Sequence, residues 1–479
     1  MKLSFFYILM VIVVCTAIIG VLRLGSSLPM TQDMSVAATA IEATTESQAA
    51  FPTLTQELRT NLDQPLSHLF AQLLVIIAVA RVLGYVFTRL GQPAVVGEMA
   101  AGIMLGPSLF GLLFPGAFAF VFPQESLRVL QLFAQIGVCL FMFAVGMELD
   151  VRQVRSKVQA AIAVSHSSIL FPYLLGVLLA YFLYTDMAGP GVTFTVFALF
   201  MGISMSITAF PVLARILQDR GLTRTFLGST AITCASIDDV TAWSALAFVV
   251  AIANATSIGG SILNLLLVLV FVALMVFGVR RALPHWMGTQ LTQEAPSRST
   301  LAIIVCVVVA AALSTEVMGI HALFGAFLAG AIMPETNGFR QKINLRVENF
   351  SSVLLLPLFF AFTGLRTQIG LIDDLQGWLL CLLIIAVATL GKLGGTAVAA
   401  RLTGMSWSEA LQLGALMNTR GLMELIALNI GYDLGILPPR IFTMLVIMAL
   451  ATTILTGPLL AFFGKHRAAV HDLEASSRV

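Results

Sequence analysis

Apolar stretches as long as a bilayer is thick recur through this chain, and that recurrence decides its architecture. Fourteen runs, at about 4–22, 68–88, 93–110, 127–148, 158–184, 192–217, 226–253, 259–279, 299–316, 319–333, 350–366, 375–400, 407–431 and 440–463, come near the ~20 residues that a helix needs to cross hydrocarbon. A backbone in lipid must satisfy its own polar groups, so such runs fold as helices. Only 10% of the 479 residues are charged, against roughly a quarter in soluble domains. The expected fold class is an all-α polytopic membrane protein. A net charge of +2 gives no reason to expect nucleic acid as a partner. Cys15, Cys139, Cys234, Cys306 and Cys381 all sit in apolar runs without metal-type spacing and are expected to be small core residues.

Charge placement orients the bundle. With the C-terminus inside, 17 Lys and Arg residues fall in inner loops, including Arg215, Arg220, Arg280, Arg340 and Arg401. Outer loops hold 5: Arg23, Arg59, Arg128, Arg366 and Arg440. That is the bias of the positive-inside rule. Residues 1–23 are expected to form an anchor helix or signal segment. Residues 24–66 read as an extracytoplasmic linker, 67–464 as the membrane domain and 465–479 as a short cytoplasmic tail. The tail is too short for a nucleotide-binding regulatory domain, so none is expected in this chain.

Two spans carry internal breaks. Ser204-Met-Ser-Ile-Thr-Ala-Phe-Pro211 places hydroxyls and a proline in mid-span, and proline removes a helical hydrogen bond. Leu416-Met-Asn-Thr-Arg-Gly421 places Asn418, Thr419 and Arg420 at a similar depth. Interrupted helices in corresponding positions of two halves point to a transporter site.

Ionisable groups at membrane depth are few and costly, and are kept for function. Asp238 and Asp239 are adjacent within Thr233-Cys-Ala-Ser-Ile-Asp-Asp-Val-Thr-Ala-Trp. A cation or protons can neutralise such a pair and then leave. Lys392, within Ala388-Thr-Leu-Gly-Lys-Leu-Gly-Gly395, needs a counter-charge, and one of the two aspartates is the natural candidate. Successive helix residues point ~100° apart, so the other can face a cavity. Arg420 and Glu424 are spaced to pair on one helix face and are expected to be structural or modulating. Glu98 is expected near the inner mouth, Arg81 snorkels toward the inner surface, and His166 reads as a satisfied core histidine.

Several segments together resemble the monovalent cation:proton antiporter-2 family, near its cation/H+ exchanger branch. They are Gly91-Gln-Pro-Ala-Val-Val-Gly-Glu-Met-Ala-Ala-Gly-Ile-Met-Leu-Gly-Pro107, Phe143-Ala-Val-Gly-Met-Glu-Leu-Asp150, Phe324-Gly-Ala-Phe-Leu-Ala-Gly-Ala-Ile-Met-Pro334 and Met417-Asn-Thr-Arg-Gly-Leu-Met-Glu-Leu-Ile-Ala-Leu-Asn-Ile-Gly431. The resemblance spans roughly residues 67–463. It implies a thirteen-helix inverted-repeat antiporter fold: a dimerising panel beside a six-helix core with two crossing broken helices. It implies that Asp239 carries the ion, that Asp238 pairs with Lys392, and that Thr208, Asn418 and Thr419 form the crossover. Many relatives have Gln or Asn where this chain has Asp238, and the segment 4–22 falls outside the family pattern.

The resulting expectation is a secondary antiporter that exchanges Na+ or K+ for H+ by alternating access, electrogenically, with the metal ion held at Asp239 and Asp238. It would be a homodimer in the lipid bilayer of an inner, plasma or organelle membrane, with monovalent cations and protons as its partners. No enzymatic step and no cofactor are implied. The alternative is a channel-like K+ efflux pathway without obligatory proton coupling. An intramembrane aspartyl protease fits poorly, because its two aspartates sit on separate helices.

Overall fold

The structure, a computed structural model, describes residue 61 and residues 64–148, 158–223, 225–254, 258–287, 297–319, 321–335 and 338–476. The expected anchor at 1–23 and nearly all of the 24–66 linker lie outside the described residues. The described elements are helical. They run α1 (Pro65–Arg89), α2 (Ala94–Leu105), α3 (Gln124–Glu148), α4 (Val158–Met187), α5 (Phe194–Ser206), α6 (Phe210–Asp219), α7 (Phe226–Ala253) and α8 (Ile258–Ala273). There follow α9 (Arg298–Val317), α10 (Ala322–Ala331), α11 (Phe339–Phe350), α12 (Leu356–Arg366), α13 (Leu375–Leu402), α14 (Trp407–Met417), α15 (Leu422–Asp433) and α16 (Pro439–Ser476). Among the described residues, 11 helical spans are long and apolar enough to cross a membrane. The short apolar α10 and the broken pair α14–α15 lie between them.

Local chemistry sets where these helices begin. Thr225 caps α7 by accepting the Gly228 N–H at 3.0 Å. Asp374 caps α13 through Gly377 at 2.9 Å. Ser406 and Glu409 form a reciprocal capping box on α14. The apolar side chains between the caps divide by direction. Phe70, Leu74, Val309 and Leu313 point outward, as lipid requires, whereas the α5–α6 span is largely buried.

The helices pack as two groups. One comprises α4, α5, α6, α7, α13, α14, α15 and α16; the other comprises α1, α2, α3, α9, α10, α11 and α12. The second group is closed by backbone-to-backbone contacts at small residues, the mode that membrane interiors favour. Gly364 of α12 sits on the carbonyl of Gly102 in α2, where an added Cβ would collide with main chain. Gly364→Ala is therefore expected to cost about 1–3 kcal/mol or more through overpacking against atoms that cannot rotate away. Thermal unfolding in detergent measures this, and wild-type stability in the variant would contradict the packing.

Two expectations change here. The span at 319–333 contracts to the ten residues of α10, because the left-handed backbone at Gly319 and His321 breaks the helix before it. Cys306 is exposed rather than a core residue. The outer face of this bundle is itself apolar, so a thiol can point to lipid. Cys234 and Cys381 are buried, and Cys15 lies outside the described residues.

Candidate functional site

Two helix breaks meet at the centre of the first group. α5 ends at Ser206 and α6 starts at Phe210, with Pro211 in its first turn. The intervening Ile207 and Ala209 are extended, and Pro211 has no N–H to offer the carbonyl four residues back at Ile207, so a continuous helix cannot run through the break. The second break falls at Gly421, whose φ of 152° lies where only glycine is comfortable. The two unwound segments pair across the crossing. The Ala209 N–H donates to the Thr419 carbonyl at 2.9 Å, and the Thr208 hydroxyl donates to the Met417 carbonyl at 3.0 Å.

Arg420 holds this crossing from inside. It is fully buried and donates through Nη1 to the Ser204 carbonyl at 2.8 Å and through Nη2 to the Met205 carbonyl. These are free carbonyls at the C-terminal end of α5, where the helix dipole is negative. The same Nη1 lies 2.7 Å from Glu424 Oε2. The Arg420 backbone is clamped by Thr453 of α16, which accepts from its N–H at 3.1 Å and donates to its carbonyl at 2.8 Å. The expected Arg420–Glu424 pair is present, although Arg420 itself lies before the helix.

Asp238 and Asp239 project from α7 beside the crossing, both 0% exposed. Asp238 Oδ2 is 3.2 Å from Lys392 Nζ on α13, and Lys392 also donates to the Ser168 hydroxyl on α4 at 3.1 Å. Asp239 has no hydrogen-bond partner at either oxygen. The Phe210 N–H, at the positive end of α6, faces it without closing to a hydrogen bond. Both side-chain atoms of Asn418 are likewise buried and unpartnered. Glu148, at the end of α3, is a further carboxylate within electrostatic range of Asp239.

The charges at the pair do not balance. Two buried carboxylates face one ammonium, while Arg420 is committed to Glu424. A buried carboxylate without a partner is costly unless neutralised. Asp239 is thus left with an unrelieved cost of burial, which neutralisation by a proton or a positive charge would lower.

Against the sequence-based candidates, the structure brings Asp238, Asp239, Lys392, Thr208, Asn418, Thr419, Arg420 and Glu424 into this one group of helices. Glu98 stays in the other group, on α2, with Arg81 of α1 as its ion-pair partner at 3.5 Å. His166 Nδ1 lies 2.9 Å from the Ile162 carbonyl in its own helix. Sequence reading passed over Ser168 and Thr453. Their signal was present as hydroxyl runs inside apolar spans, Ser165-His-Ser-Ser168 and Thr452-Thr-Ile-Leu-Thr456.

Residues 74–466 match the sodium/hydrogen exchanger transmembrane family. The chain belongs to the sodium/hydrogen exchanger family. The Na(+)/H(+) antiporter NhaS4 of Synechocystis is 44% identical over 392 residues, covering 82% of this chain and 96% of that one. Cation/H(+) antiporter 20 of Arabidopsis thaliana is 39% identical, covering 86% of this chain and 51% of its own length. K(+)/H(+) antiporter 1 of Saccharomyces cerevisiae is 30% identical, covering 83% and 46%. The chain thus spans about half the length of the plant and yeast relatives it matches. The solved structure of the sodium proton antiporter MjNhaP1 from Methanocaldococcus jannaschii superposes with a TM-score of 0.58 at 14% identity, over 84% of this chain and 98% of that one. That likeness establishes the exchanger fold. As a multi-pass integral membrane protein of this family, the chain is a transporter.

Proposed function

We propose that this exchanger moves a monovalent cation, Na+ or K+, against H+ by alternating access, with Asp239 as the group that carries cation and proton in turn. Asp238 is held by Lys392 and tunes the field at Asp239. Thr208, Asn418 and Thr419 supply oxygens at the crossing, and Arg420 with Glu424 keeps the unwound segments in register. Glu98, paired with Arg81, modulates the other helix group. The protein works as a homodimer through that group, with no cofactor.

The observation that carries this reading is the unbalanced charge. Asp239 is fully buried and both its oxygens lack a partner, while the ammonium 3.2 Å from Asp238 is already engaged. The names of the relatives, sodium, potassium and general cation/H+ antiporters, support the reaction class and leave the cation open.

The test is transport by the purified chain in liposomes, with a trapped pH dye and each cation added in turn. Addition of the transported cation is expected to move protons the other way. If the cycle carries unequal charge, a membrane potential clamped with valinomycin shifts the rate and the end point. Cation flux with no proton movement would instead establish the channel-like pathway.

A further inference from the structure

A polar cavity of about 350 Å³ lies at the end of the bundle that positive residues avoid. Gln131 and Gln135 of α3, Asn254 after α7, Glu316 of α9, His321, and Asp433 of α15 line it. It falls between the two helix groups, since α3 and α9 belong to one, and α7 and α15 to the other. Of these groups His321, Glu316 and Asp433 titrate, and Arg366 of α12 is the cation that reaches the same carboxylate.

Arg366 fastens the two helix groups together here. It lies 2.6 Å from Asp433 Oδ1 and donates to Asn429 Oδ1 at 3.0 Å, both on α15. Its guanidinium also stacks 4.1 Å over Phe362 of its own helix and 4.9 Å over Tyr432 of α15. Any sliding of one group past the other at this end must break this clamp or carry it along.

His321 sits against the clamp in an unusual state. Among the described residues it is the non-glycine residue with positive φ, at 86°, a conformation that persists only when surroundings enforce it. Its Nδ1 is buried without a hydrogen-bond partner. It borders Asp433 in the polar cavity and in the narrow apolar one adjoining it. Glu316 also faces it, with one oxygen occupied by the Ala322 N–H at 2.8 Å.

We infer that His321 is an outer-face proton switch acting on the Arg366–Asp433 clamp. As neutral imidazole it leaves Asp433 to Arg366. A proton from outer water, added to a ring nitrogen, places an imidazolium between Asp433 and Glu316. The imidazolium competes with Arg366 for Asp433 and loosens the hold of α12 on α15. Histidine changes charge in the range where this matters. The movement being regulated is that of the exchange cycle, so this inference rests on the proposed function for its purpose and on geometry for its existence.

The experiment reads the clamp directly. The full chain, with its five cysteines replaced and Gln135→Cys as reporter, is reconstituted in liposomes and exposed to an impermeant maleimide on the outer face. Rates are normalised to those of the unfolded chain, which removes the pH dependence of thiol chemistry. With inner pH fixed, labelling is expected to rise about threefold or more as outer pH falls from about 7 to about 5, because burial holds the His321 imidazolium below the ordinary histidine pKa. His321→Gly, which suits the backbone at this position, should flatten the response without loss of folding. Arg366→Gln should label fast at both pH values. A His321→Gly chain that keeps the wild-type response overturns the switch, as does a wild-type chain with no response. Asp239→Asn should keep the response while losing transport. A wild-type chain that responds but exchanges nothing refutes the antiport reading and leaves the switch standing.

Discussion

Asp239→Asn is expected to reduce cation-driven proton movement to the level of empty liposomes while the protein remains folded. The amide has the shape of the carboxylic acid but can neither release a proton nor present a negative charge to a cation. The same change should remove a second signal that does not depend on transport. A cation that binds the folded chain stabilises it by mass action, about 2.7 kcal/mol at a hundredfold excess over Kd, so Na+ or K+ should raise the unfolding temperature of the wild type and not of the variant. Stability without cation should be unchanged or higher in the variant, because an unpartnered buried carboxylate is gone. Exchange at the wild-type rate in well-expressed Asp239→Asn would sink the central assignment. A cation-dependent thermal shift that survives the substitution would place the ion elsewhere.

Lys392→Ala is expected to be the most destabilising single change near the site. Lys392, Asp238 and Asp239 are all 0% exposed, so the substitution leaves two adjacent buried carboxylates with no cation between them. Breaking a buried pair from one side costs about 3–5 kcal/mol, and water drawn into the space left by the side chain lowers that figure. The diagnostic is the double variant. Adding Asp238→Asn removes the stranded charge and should recover most of the loss in thermal unfolding, although Ser168 loses its ammonium donor in both. A double variant no more stable than Lys392→Ala would mean that the 3.2 Å contact carries no coupling. Asp239→Asn should rescue less, because Asp238 is the partner that Lys392 touches.

Much of this organisation was legible in the residue string because lipid imposes simple rules. Apolar length marked the spans. The two breaks were visible as Pro211, which removes a helical hydrogen bond, and as the polar Asn418–Thr419–Arg420 stretch that ends in Gly421. The charged groups stood out because an ionisable residue in an apolar run is rare. The Arg420–Glu424 pairing followed from i,i+4 spacing alone. Where reading failed, the signal was weak. The shortness of α10 depends on a left-handed His321, which no local composition announces. Cys306 faces outward because an apolar run does not say which of its sides meets lipid.

The sequence by itself thus determined the all-helical membrane class, the approximate spans, the positions of the breaks and the short set of residues that chemistry could use. Those follow from local composition and from the thickness of a bilayer. What it left open was which charge meets which. From the residues alone either aspartate could have faced Lys392. Only the packing of α7 against α4 and α14, with α13 on α4, decided that Asp238 takes the ammonium and Asp239 is left without a partner. Only the crossing of two segments some two hundred residues apart put Arg420 on the end of α5. The tertiary structure alone brought His321 and Asp433 to one cavity wall, with Arg366 paired to Asp433. Contacts of that range depend on helix rotation and register, which apolar runs buried or lipid-facing on all sides do not encode.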